Sequence, residues 1–392
     1  MKKIFYVAAM AISSLLLVGC QGNNNVTTDK EEKYKAIAEA YVLHTVQTTY
    51  TELADATIEL YDACEAVYAK YENKENISES EVQQLGELWK ASRHQWELSE
   101  AFLFGPVEDN NIDPHIDTWP HDLSAQLDLM QDEQKMTLVA EKGLSVLGDE
   151  GLMGYHALEY MIFDVTNYQH PTDIRYNNFN DYSKNEMIYF RAIAKDLVEQ
   201  LVALEACWKG KSNVSTRKQQ ILAAAPSEVS RYTGLISGFG KQLLNAEGEY
   251  TSYRSVMDEL LDGCDGIADE VGNTKIGRPV RGAGAGAEEG DRNYIESPYS
   301  LNSVQDFADN IRSIQNAYMG SQQGDASLYS YMLTKNAEVA NALRDQIETT
   351  IAAIEKMQEP FYTTAGDETS KQAVIEAGTN LTEAIAAVKA LL

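Results

Sequence analysis

Over almost its whole length the chain places apolar residues three and four apart and nowhere sustains an alternation of β-branched residues, so helices are the elements it can build. Residues 31–71 carry Ala, Leu, Val and Tyr at that spacing with neither Pro nor Gly, which predicts one helix of about ten turns. A second helix is expected to start at Ser78, where Glu81 completes a capping box, and to run to Phe104 before Gly105-Pro106 ends it. Shorter helices follow near 121–132, 135–146 and 150–163, then a longer one over 182–208. The second half adds helices near 215–246, interrupted by Pro226, and near 250–272, 303–319, 326–357 and 367–391. Composition breaks near the midpoint at Lys209-Gly210-Lys211-Ser212-Asn213. The expected fold is therefore all-α, with two tandem helical-bundle domains over 31–210 and 211–392.

The N-terminus is a separate piece. Lys2 and Lys3 precede an apolar run over 4–18 that is short for a membrane span and right for the core of a signal peptide. It ends Leu17-Val18-Gly19-Cys20, which resembles the lipobox of bacterial lipoproteins, whose Cys is lipidated. Residues 1–19 are thus expected to be a signal peptide and 20–30 a lipidated Cys20 with a polar tether; the plainer alternative is an ordinary cleaved signal with an incidental cysteine. Cys64, Cys207 and Cys264 are widely spaced, without the C-x-x-C of a zinc site or the density of a disulfide framework.

Charge excludes one class of partner. With 60 Asp+Glu against 32 Lys+Arg the net charge is −28, and no cluster of adjacent basic residues is present to neutralise phosphates, so nucleic acid is not an expected ligand. Membrane contact is expected only through the lipid anchor. Arg281-Gly282-Ala283-Gly284-Ala285-Gly286-Ala287 contains G-x-G-x-G, but no strand precedes it, so it carries no dinucleotide signal.

Charges inside apolar faces mark the candidate chemistry. On the second helix Val82, Leu85, Trp89, Arg93, Trp96, Glu100, Leu103 and Phe104 fall on one core-facing stripe, with Glu97 at its edge, four residues from Arg93. Such buried charges need a partner, a metal or a ligand. The segment 151–163 is apolar all round except for His156 and Glu159, one turn apart, a pairing suited either to a core hydrogen bond or to a metal ion. Gly154, two residues before the histidine, allows a close approach there. Spacing alone says little, because chance supplies about one His-x-x-acid pair in a chain this acidic. Three occur here: His94 with Glu97, His156 with Glu159 and His170 with Asp173. Only burial singles out His156. The acidic loop over 107–120, which includes Trp119, is too rich in turn chemistry to be a mere connector.

Gly154-Tyr155-His156-Ala157-Leu158-Glu159 resembles the G-x-H-x-x-E signature of the imelysin-like family of bacterial envelope proteins. Arg93, Trp96-Glu97, Glu100-Ala101-Phe102-Leu103-Phe104-Gly105-Pro106, Asp117-Thr118-Trp119-Pro120, Glu296-Ser297-Pro298-Tyr299-Ser300, Asn310-Ile311-Arg312 and Tyr318-Met319-Gly320 extend the resemblance in family order. It implies two helical bundles with a site near their interface, a grouping with metallopeptidases, and an association with iron-regulated expression and iron uptake. The expected function is a cell-envelope lipoprotein, periplasmic or surface-facing, that binds a metal (iron or zinc) or an iron-bearing ligand such as haem, beside the membrane components of iron uptake. His156, Glu159 and Glu100 are the expected ligands; Arg93 and Glu97 are charge partners, and Trp119, Gly154, Ser300 and Arg312 line or close the site. A metal-dependent peptidase is the rival. A zinc hydrolase wants three protein ligands, an open position and a base. His156 and Glu159 supply two ligands, Glu100 or an acid of the 107–120 loop could supply a third, and the base is then unassigned. A third reading is a metal-free interaction protein whose polar cluster fixes bundle register.

Overall fold

The computed structural model describes residues 24–392 except 149, 170–173, 227–228, 230–237 and 285. The expected signal peptide and Cys20 lie outside the described residues, as does the His170–Asp173 pair. Among the described residues there is no strand, only an isolated bridge between Phe163 and Tyr176. No described helix is long and apolar enough to cross a membrane. Cys64, Cys207 and Cys264 are buried, and none is in a disulfide among the described residues.

The long N-terminal helix α1 comprises Asn24–Ala40, a π turn at Tyr41–Val46 and Gln47–Glu72. Its later part packs on α2 (Glu79–Glu97) and α4 (Lys184–Lys209), while its start packs on α5 (Tyr253–Glu270), across the 209–213 break. At the other end of the chain the carbonyl of Leu392 accepts from the Tyr34 hydroxyl at 3.2 Å. Helix α3 (Gly154–Ile162) lies against α2 and α4, and α6 (Ser303–Met319) lies against α2, α5 and α7 (Ala337–Ile354). One apolar cluster runs through all of these, from Tyr34 and Trp89 through Leu158 and Leu197 to Phe307 and Ile347.

Local chemistry explains both the agreements and the shifts. Glu81 reaches back to the Ser78 backbone N–H at 2.9 Å, so α2 starts where its capping box places it. It stops at Glu97 rather than Phe104. Ser99 donates to the Trp96 carbonyl at 2.7 Å, and the Ala101 N–H goes to Ser313 Oγ on α6 at 2.9 Å, so the chain leaves the helix and makes a 3₁₀ turn over Glu100–Phe102. The expected helix over 326–357 divides into Leu328–Lys335 and α7 because Asn336 caps the second piece, accepting from Val339 N–H at 3.2 Å. The expected helix near 250–272 does not stop there: α5 passes into a π turn, Val271–Lys275, and on to Gly277–Gly282.

Candidate functional site

Four segments meet in the interior around Arg93, whose side chain is fully buried. From α2 itself comes Glu97, with Oε1 2.6 Å from Arg93 Nη2. The turn Ile112–Ile116 delivers Asp117, which pairs with Arg93 Nη1 and accepts from the Trp96 indole at 2.8 Å. The segment before α6 delivers Glu296, 2.5 Å from Nη2, and α6 delivers Asp306, 3.4 Å from Nε. The i, i+4 pairing of Arg93 with Glu97 is the one expected from spacing; the other three acids come from elsewhere in the chain.

Helix α3 brings His156 to the same place. Its buried Nε2 stands 3.1 Å from Asp117 Oδ1 and 3.9 Å from Glu296 Oε1, within ion-pair range of both carboxylates but with hydrogen-bond geometry to neither. The opposite nitrogen, Nδ1, faces Glu159 Oε2 at 3.4 Å. Glu159 is itself fixed: Oε1 accepts from Tyr299 N–H at 3.0 Å, Ser300 N–H at 2.7 Å and Ser300 Oγ at 2.7 Å. The carboxylate thus orients the imidazole and ties α3 to the 299–300 turn, and Ser300 closes the site through it. Gly154 makes the approach of the Asp117 turn possible. Its φ is +84°, and a Cβ there would lie 2.1 Å from the Ile116 carbonyl oxygen.

A cavity of about 280 Å³ opens beside these groups, lined by Glu100, Asp117, Trp119, Lys275 and Glu296 among others. The Trp119 ring lies 4.7 Å from His156, and its buried indole N–H also has no partner. Glu100, on the 3₁₀ turn, faces Lys275 at 3.6 Å. Arg312 is placed elsewhere, its guanidinium held by Asp309, at 2.8 Å, and by Glu355. Two groups of side chains bring their donor atoms within 4.8 Å of one another: Asp117, His156 and Glu296, and Glu97, Glu100 and Asp117. An imidazole with several carboxylates is a donor set that iron or zinc accepts.

The structure brings together His156, Glu159, Glu100, Arg93, Glu97, Trp119, Gly154 and Ser300, all expected from the sequence. Asp117 is not distinguished by sequence from the other acids of its loop, and Glu296, Asp306 and Lys275 join the cluster unannounced by any local pattern. The signal available for Asp117 and Glu296 was their place in the resembling blocks. Lys275 left no such trace.

The cluster holds more carboxylates than fixed cations, and titration reflects it. Burial raises Glu97 and Glu100 well above the usual carboxylate range, against the pull of Arg93 and Lys275. Burial also pushes Asp306 up to about 6, although Arg93 opposes it. Asp117 goes the other way, because Arg93 and His156 outweigh its burial and hold it below the usual range. Burial disfavours a charged His156, but Asp117 and Glu159 on its two nitrogens lift it to about 9. A folded pKa above the unfolded one stabilises at pH below the unfolded value, and that contribution disappears as pH rises through the folded value. Metal-free protein is therefore expected to lose stability between pH 6.5 and 9.5, by about 3 kcal/mol from His156 alone. Denaturant midpoints across that range check this, and a midpoint that rises toward pH 9.5 contradicts it.

The family model described as Peptidase_M75, Imelysin, matches residues 46–388. Iron-regulated protein A of Synechococcus elongatus is 26% identical over 305 residues, covering 77% of this chain and 70% of that protein. A protein from Parabacteroides distasonis, described as an iron-regulated protein A precursor, has a crystal structure similar to this fold with a TM-score of 0.74 at 23% identity, over 92% of this chain and 95% of that one. An imelysin-like protein from Psychrobacter arcticum is similar with a TM-score of 0.61 at 16% identity, over 91% of this chain and 93% of that one.

Proposed function

The chain belongs to the imelysin family, and from that premise we propose that it is a lipid-anchored envelope protein that captures a metal ion, iron before others, for uptake by membrane components. The single observation that carries the reading is the buried Nε2 of His156, which makes no hydrogen bond and faces the carboxylates of Asp117 and Glu296 where these line an open cavity. His156, Asp117 and Glu296 would hold the ion, with Glu97 and Glu100 beside them, and Glu159 would fix the imidazole so that Nε2 points at the cation. The name of the Synechococcus relative, an iron-regulated protein, supports iron as cargo. Oxygen and imidazole donors around a small cavity favour a free ion over haem. The lipobox at Cys20 supports the anchor.

The family model's peptidase name supports the rival, a metal-dependent hydrolase at the same residues. Against it stands the want of an assigned base, since Glu159 Oε1 is already engaged by three donors from the 299–300 turn.

Titration with Fe2+ and Zn2+, followed by elemental analysis, tests the reading. The wild-type protein is expected to bind close to one ion, His156→Ala to lose stoichiometric binding, and Glu159→Ala to weaken it about 10- to 100-fold, as expected for an orienting partner. Because His156 must shed its proton, affinity is expected to rise with pH up to about 9, with proton release measurable by calorimetry in buffers of different ionisation enthalpy. Well-folded protein that binds neither ion would leave the metal-free interaction protein. Cleavage of an unfolded substrate, abolished by chelator and by His156→Ala, would favour the hydrolase.

A further inference from the structure

Lys275 has no part in that ligand set, yet it occupies the same space. It ends the π turn Val271–Lys275, a local irregularity often found at functional positions. The turn is locked in place, since a Cβ on Gly272 would lie 2.3 Å from the Gly378 Cα. The ammonium, on a residue 5% exposed, lies 3.3 Å from Glu296 Oε1, 3.6 Å from Glu100 Oε1 and 3.7 Å from Glu97 Oε2. Glu296 Oε1 is the same oxygen that faces His156 Nε2. Arg93 and Lys275 differ in kind. Arg93 is enclosed and gripped by four acids, two of them at 2.6 and 2.5 Å, whereas Lys275 makes looser contacts and lines the cavity.

Resting on the metal reading above, we propose that Lys275 is the site's resident counter-ion, competing with the incoming cation for Glu296 and Glu100 and so keeping binding weak enough for release. Two cations sharing carboxylates a few ångströms apart in a poorly screened interior repel strongly, so each lowers the affinity for the other. With the ammonium removed, the metal-free cluster has fewer countercharges. Its stability then depends more on bound metal, and affinity rises by the same linkage.

The test uses redox-silent Zn2+ as the probe, with affinity from competition against a chelating dye, dissociation from a chelator chase, and melting with and without Zn2+. Lys275→Met and Lys275→Gln are expected to bind Zn2+ at least ~30-fold tighter than wild type, to release it more slowly, and to melt lower than wild type only when metal-free. Lys275→Arg, which keeps the charge, is expected to stay near wild type. Folded Lys275→Met or Lys275→Gln with unchanged or weaker Zn2+ affinity overturns the inference, as does failure of both to fold even with Zn2+ present. Wild-type protein that binds no Zn2+ overturns this inference, and one that binds no Fe2+ either overturns the metal reading with it, results distinct from binding that is insensitive to Lys275.

Discussion

Arg93→Met is expected to destabilise the metal-free protein at pH 7 by about 4 kcal/mol, the scale for removing one partner of a buried ion network. The guanidinium is fully buried and is the common partner of Glu97, Asp117, Glu296 and Asp306. Methionine keeps much of the volume but leaves those carboxylates to be neutralised by protons at a cost in free energy. Lowering the pH supplies the protons, so the deficit should shrink between pH 7 and pH 5. Arg93→Lys should fall between the two, since a single ammonium cannot satisfy the fork of contacts. Urea denaturation of the three proteins at both pH values measures this. A deficit that is the same at pH 5 and pH 7 would mean that Arg93 matters as volume packed on the Tyr155 ring, 5.3 Å away, and not as charge.

Gly154→Ala is expected to cost about 3 kcal/mol or more, through positive-φ strain together with a steric clash. The clash is with the backbone oxygen of Ile116, one residue before Asp117, so relief of it displaces the turn that presents a proposed ligand. The variant should lose metal affinity as well as stability. Gly143→Ala is the control, because Gly143 has nearly the same φ, +81°, with nothing within 4 Å of the Cβ position. It should show backbone strain alone, about 1–3 kcal/mol because its ψ of −175° lies where only glycine is at ease, with metal binding intact. Equal effects on metal affinity in the two variants would show that the approach of the Asp117 turn is not what Gly154 serves.

Much of this was legible because it is local. Apolar spacing fixed the helical class, the Ser78–Glu81 box the start of α2, and the absence of Pro and Gly the length of α1. Helix α6 begins and ends where its periodicity places it. The pair Arg93–Glu97 and the shared face of His156 and Glu159 follow from three- and four-residue spacing. The same spacing at His94 and Glu97 gave a different outcome, which shows what spacing lacks. Glu97 turns inward to Arg93, while the His94 side chain, 41% exposed, pairs with Asp309 at 2.7 Å. Burial decides, and burial depends on which helix lies opposite. Asp117, Glu296, Asp306 and Lys275 converge from positions far apart in the chain, and no local pattern records that convergence. Ser99 and Asn336 divided helices that periodicity alone would continue, because each offered the backbone a competing hydrogen bond. Arg312 sits in one of the resembling blocks but is held by Asp309 and Glu355 on another face of α6.

On this proposal His156 Nε2 meets a cation between Asp117 and Glu296. The most direct test is an anomalous difference map at the iron edge from crystals loaded with Fe2+ under anaerobic conditions. One strong peak is expected at bonding distance from His156 Nε2, flanked by carboxylate oxygens of Asp117 and Glu296, with Glu159 still on Nδ1. A well-ordered site in which His156 keeps its place beside Asp117 with no peak, while iron binds elsewhere or not at all, would contradict it.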